Sequence, residues 1–100
     1  MMITGPQCRA ARALVEFSRD RLAQLSGIDA STIEQFERKL GAPSDEQIKA
    51  LADTLEKAGA LFIPENGGGA GVRLKFNRSE TRRIANLENE GGLTASDDVP

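Results

Sequence analysis

The sequence predicts a mainly α-helical fold: four helices, then a β-hairpin and a short C-terminal helix. Three observations lead there. Thr4-Gly5-Pro6-Gln7 and Ser44-Asp45-Glu46-Gln47 have the form of capping boxes, each followed by apolar residues at three- and four-residue spacing. Between them lie two short amphipathic runs joined by Ser26-Gly27. Beyond Gly59 the apolar period shifts towards two, the signature of strands.

Helix 1 starts at the first box, where proline is tolerated in the first turn. Cys8, Ala11, Val15 and Ala10, Leu14, Phe17 give it one broad apolar stripe running to about Phe17. Ser18 caps a second helix with Leu22, Ala23 and Leu25 facing inward, stopped by Ser26-Gly27. Asp29 caps a third, which buries Ile33 and Phe36 and ends at Leu40-Gly41-Ala42-Pro43. Helix 4 follows the second box through Ile48, Leu51, Ala52 and Leu55 to Gly59. Leu61-Phe62-Ile63 and Val72-Arg73-Leu74-Lys75-Phe76 read as strands, joined by a flexible loop from Glu65 to Gly71. Ile84, Ala85 and Leu87 suggest a last helix from about Ser79 to Asn89. The tail from Gly91 to Pro100 lacks periodicity and is expected to be disordered. The expected organisation is thus a helical domain over 1–59, a hairpin-plus-helix extension over 60–90 and a tail over 91–100.

One hundred residues suffice for a single core. No apolar run approaches the roughly 20 residues of a membrane span. The N-terminus lacks the basic and long apolar regions of a signal peptide, so a cytoplasmic location without membrane contact is expected. With Cys8 as the one cysteine and no histidine, neither an internal disulfide, a Cys/His metal site nor a histidine base can be built. No enzyme, cofactor or metal is expected, and Cys8 reads as a small apolar residue on a helix face.

The net charge of −2 opposes nucleic-acid binding, since nonspecific affinity comes from basic groups neutralising phosphates. Its distribution softens that objection. Residues 1–43 carry six basic groups against five acidic, whereas 44–100 carry seven against ten. A DNA surface is therefore expected in the N-terminal part.

The two short central helices meet the demands of a helix-turn-helix, whose second helix must cross close above the first and enter a major groove. Ala23 offers a small side chain where the helices touch. Gly27, four positions later, accepts positive φ in the turn, and Leu22, Ile28, Ile33 and Phe36 can pin the second helix from behind.

Arg12, Phe17-Ser18, Leu22-Ala23, Ser26-Gly27-Ile28, Thr32-Ile33, Phe36-Glu37 and Pro43 together resemble the Xre or Cro/phage-repressor type of helix-turn-helix regulator, over about Gln7 to Leu55. The likeness implies a four-helix repressor-like domain. Phe62 to Gly69 with Gly71 to Leu74 is similar to an extension in a bacterial subgroup of these regulators. The resemblance further implies that Arg12 pairs with Glu37, tying helix 1 to helix 3. It also marks two departures. Arg19 stands where the family usually has a glutamine that touches DNA, and Glu34 exposes a carboxylate on helix 3.

With Ile33 and Phe36 buried, the outward face of helix 3 comprises Ala30, Ser31, Glu34, Gln35 and Arg38, the expected readers of double-stranded DNA. Gln35 can bond adenine twice, Ser31 several base edges, and the methyls of Ala30 and Thr32 can meet a thymine methyl. Arg19, Arg38 and Lys39 are assigned to phosphates, with Ser18 at the helix 2 amide end. Phe62, Ile63, Val72, Leu74 and Phe76 are too apolar for an isolated hairpin, so they must cover the helices or pair with another chain. A homodimer through this hairpin, reading a palindromic site, is the expectation. The second reading is a protein-interaction module, an antitoxin or a transcription adaptor with a protein partner, which the acidic balance and Glu34 favour. The glycine-rich loop lacks the Gly-Lys-Ser/Thr ending of a phosphate cradle, and nothing fixes Glu88, Glu90, Asp97 and Asp98 as a cation site.

Overall fold

Thr4 opens the first helix, α1 (Gly5–Val15), through a complete capping box. The Thr4 hydroxyl accepts from the Gln7 amide at 3.2 Å, and Gln7 Oε1 accepts from the Thr4 amide at 3.0 Å. The computed structural model describes residues 2–75. Phe76, the helix expected from Ser79 and the tail from Gly91 lie outside that range.

α1 ends two residues before the predicted Phe17, at a left-handed Glu16 (φ 62°). Its buried face is also narrower than predicted. Cys8 and Ala11 are sealed, but Ala10 is exposed and Leu14 is 37% exposed, while Phe17 packs on the core from the loop. The predicted stripe joined two rows of residues, whereas one row and Gln7 suffice to contact the rest of the fold.

Ser18 caps α2 (Arg19–Ser26), accepting from the Arg21 amide at 2.9 Å. Leu22 is fully buried and Ala23 half-buried, but Leu25 is 47% exposed, contrary to expectation. At about 100° per residue, Leu25 lies roughly 110° from a buried sector centred between Leu22 and Ala23. α3 (Ala30–Glu37) follows, with Ile33, Phe36 and Glu37 buried. Asp29 occupies its N-cap without capping a backbone amide; its carboxylate instead accepts from the Ser31 hydroxyl at 2.6 Å.

The second capping box, Ser44 with Gln47, opens α4 (Asp45–Lys57), which buries Ile48, Leu51 and Leu55. The hairpin strands are β1 (Ala60–Ile63) and β2 (Gly71–Leu74), antiparallel, with Ala60 opposite Leu74 and Phe62 opposite Val72. Gly71, predicted in the loop, pairs with Ile63, and β2 starts and ends earlier than predicted.

Ile3, Cys8, Ala11, Leu22, Ile33, Phe36, Ile48, Leu51, Leu55, Ala60 and Phe62 form one core shared by helices and hairpin. Two close approaches fix how the pieces meet. A Cβ on Gly5 would collide with the carbonyl oxygen of Phe36, so α1 starts in direct backbone contact with the end of α3. Gln7 Nε2 donates to the carbonyls of Gly71 at 2.8 Å and Ile63 at 3.3 Å, fastening the loop end of the hairpin to α1. Among the described residues, no helix is long and apolar enough to cross a membrane.

Candidate nucleic-acid interface

The turn between α2 and α3 is made by Gly27, left-handed at φ 78°, whose amide donates to the Ala23 carbonyl at 3.0 Å. A Cβ there would meet nothing within 4 Å, so the backbone conformation rather than space calls for glycine. The Ile28 amide donates to Ser26 Oγ at 3.1 Å, which steers the chain into α3. Leu22 and Ile33 are fully buried and Ile28 packs against the core, pinning both helices from behind.

This leaves one side of α3 open. Ser31, Gln35 and Arg38, spaced to lie along one stripe, are all exposed, and Ala30, Thr32 and Glu34 flank them half-buried. Arg38 Nη1 lies 3.1 Å from Glu34 Oε2, an exposed pair one helical turn apart. Glu34 thus already has a cationic partner on its own helix. Gln35 sits beside Gly41, where the chain turns towards α4, and its carbonyl accepts from the Leu40 amide at 2.8 Å. Lys39 is exposed and left-handed (φ 61°) just beyond the helix end.

The inner side of α3 is held by a polar cluster built on Glu37, whose side chain is 1% exposed. Arg12 Nε and Nη2 each reach it at 2.8 Å, one to each carboxylate oxygen. The pair implied by the family resemblance is therefore present, and bidentate. Arg12 Nη1 also donates to the Phe17 carbonyl at 3.2 Å, drawing in the loop before α2. Two further members were not foreseen. Cys8 Sγ donates to Glu37 Oε2 at 3.3 Å, and Arg19 Nη2 approaches Oε1 at 3.7 Å. Spacing carried no sign of either contact, because each joins residues far apart in the chain.

Burial works against the Glu37 charge, but the hydrogen bonds from Arg12 and Cys8 and the charges of Arg12 and Arg19 outweigh it. The carboxyl is held below its ordinary range. Burial first, and then the Glu37 charge, push the Cys8 thiol well above its ordinary range, so it stays protonated as a donor.

Arg19 lies between this cluster and the surface. It is the first residue of α2, with a side chain 37% exposed, and its Nε is buried without a hydrogen-bond partner among the described residues. Ser18 precedes it, exposed, at the amide end of the same helix. The amide end of α2 and the open stripe of α3 are thus linked through Arg19 and Glu37.

A model of the helix-turn-helix family matches residues 9–61, more than half of the chain. The protein belongs to the Xre/Cro type of helix-turn-helix family. Membership makes it a DNA-binding helix-turn-helix regulator in general terms. The match covers α2 and α3 with the helices that support them and ends within β1. No curated protein matches the chain.

The hairpin divides its side chains between two faces. Cross-strand partners share a face, so Phe62 and Val72, which pack on the core, lie on the same side as Ala60 and Leu74. Three of the five side chains predicted at a dimer contact, Phe62, Val72 and Leu74, therefore face the helices of their own chain. Ile63 lies on the opposite face with Leu61, and Phe76 lies outside the described residues.

Proposed function

We propose that this protein is a sequence-specific transcriptional regulator that lays α3 in the major groove of double-stranded DNA. The open stripe of Ser31, Gln35 and Arg38, backed by buried Ile33, Phe36 and Glu37, carries this reading. Gln35 reads adenine, Ser31 and the methyls of Ala30 and Thr32 contact neighbouring base edges, and Glu34 accepts from a cytosine amino group or holds Arg38. Arg19, Arg38, Lys39 and the Ser18 end of α2 take the phosphates. A helix of eight residues reaches few base pairs, so two copies reading a palindrome supply the affinity. Since one hairpin face is committed to the core, the outer face with Leu61 and Ile63 is the one offered to a second copy.

The second reading, an interaction module such as an antitoxin or an adaptor for a protein partner, is favoured by the Glu34–Arg38 pair and the acidic net charge. Selection of bound sequences from random duplex DNA, followed by a salt titration of the selected site, separates the two. A regulator enriches a palindrome and loses affinity steeply as salt rises. Failure to enrich any sequence, with little binding even at low salt, would favour the adaptor.

A further inference from the structure

Along the edge of the buried stripe of α4, a groove of about 620 Å³ runs between the helix and the segment preceding α1. Ile3, Ile48 and Phe62 show their edges in it, with half-buried Ala52 and the 48% exposed Met2. Asp45, Glu46, Asp53 and Glu56 also line it, with Lys49 Nζ 3.4 Å from Asp53. α4 carries these four carboxylates against two lysines, a net charge of −2.

The described chain ends at Lys75, which borders a smaller depression with Asp53, Glu56 and Lys57. Two of the groove's carboxylates therefore stand where the chain continues. The next twelve residues, Phe76 to Leu87, carry Arg78, Arg82 and Arg83 against Glu80, a net charge of +2, together with apolar Phe76, Ile84 and Leu87. From Asp45 to Glu56, α4 measures about 16 Å at roughly 1.5 Å per residue, and twelve residues cover about 18 Å even when wound as a helix.

We infer that this groove is the seat of the chain's own 76–87 segment, whose arginines meet the acidic rim and whose apolar side chains cover Ile48, Ala52 and Phe62. Charge complementarity and direct tethering favour this occupant over a free partner. A segment joined at the groove's edge competes at an effective concentration in the millimolar range. A second copy would bring another acidic α4 to an acidic rim. The seat lies on α4, apart from the open stripe of α3, so it is independent of the DNA reading proposed above.

The full chain carrying Ala52→Cys and Ile84→Cys tests this under mild oxidation, because the fully buried and protonated Cys8 does not compete. A disulfide within a single chain is expected, and it should be lost on adding Asp53→Lys with Glu56→Lys and regained with Arg82→Glu and Arg83→Glu. Hydrogen exchange of the wild-type chain provides a second reading that needs no core substitution. Slowed amides over 79–87 that lose protection in the Asp53→Lys, Glu56→Lys variant would agree. Disulfide-linked dimers would give the groove to a second copy and overturn the inference. A disulfide indifferent to the charge reversals, or unprotected amides throughout 79–87, would overturn it as well.

Discussion

Arg12 grips Glu37 through two hydrogen bonds of 2.8 Å, one to each carboxylate oxygen, and so joins α1 to the end of α3. The contact lies beneath the outward stripe and fixes the height and tilt at which α3 stands. Arg12→Ala leaves the buried carboxylate with only Cys8 and a longer approach from Arg19. A loss of about 3–5 kcal/mol is expected, the range for breaking one partner of a buried pair. Urea unfolding at neutral pH reads it directly, and Arg12→Ala with Glu37→Gln should lose less than Arg12→Ala alone.

The same carboxylate gives stability a pH dependence of definite sign. Glu37 is held below its ordinary range in the folded chain, so the unfolded chain takes up its proton first as pH falls. Its contribution is fully present above the unfolded value of about 4.3 and disappears as pH drops through the lower folded value. Glu37→Gln should therefore flatten the acid side of the stability curve while leaving the slope above about pH 6 unchanged. Thermal melts of both proteins across the acid range test this, and parallel acid limbs would contradict it.

Gln7 is buried, and its amide group serves two masters, the Thr4 cap and the carbonyls of Ile63 and Gly71. Gln7→Met keeps the volume and removes every one of these bonds. A cost of about 1–3 kcal/mol is expected from the groups left unpaired. Native-state hydrogen exchange should show the hairpin amides opening more readily than those of α4.

Gln35 and Arg19 should fail in different ways if the DNA reading holds. Gln35→Ala removes a base contact worth about 1–3 kcal/mol and relaxes preference at one position. Arg19→Ala weakens binding to all sequences and lowers the salt slope by about one. Binding isotherms on the selected site and on a scrambled duplex, each at several salt concentrations, separate the two patterns.

The four helices and the hairpin were legible because their signals are local. Thr4 with Gln7 and Ser44 with Gln47 announce helix starts within four residues, and Gly27 marks a left-handed turn at a position fixed by its neighbours. Leu14 and Leu25 misled because spacing identifies an apolar row without saying how wide a face the partners cover. Asp29 has the right chemistry for a cap, yet Ser31 claims its carboxylate. At the candidate site, the Arg12–Glu37 pair was visible through family likeness. The approach of Cys8 and Arg19 to the same carboxylate depends on how α1, α2 and α3 converge, which no single stretch of sequence encodes. Gly5 was read as part of a cap, and only the packed structure shows the Phe36 carbonyl that forbids a larger residue.

A single glutamine buckles the opening turn of α1 to the last paired residues of the hairpin, Ile63 and Gly71. Prying the hairpin loose must therefore also fray the entry to α1, and with it the backbone seam at Phe36. A protease nick in the glycine-rich connection between the strands would leave both cut ends clasped, so the severed chain should keep its shape until that clasp lets go.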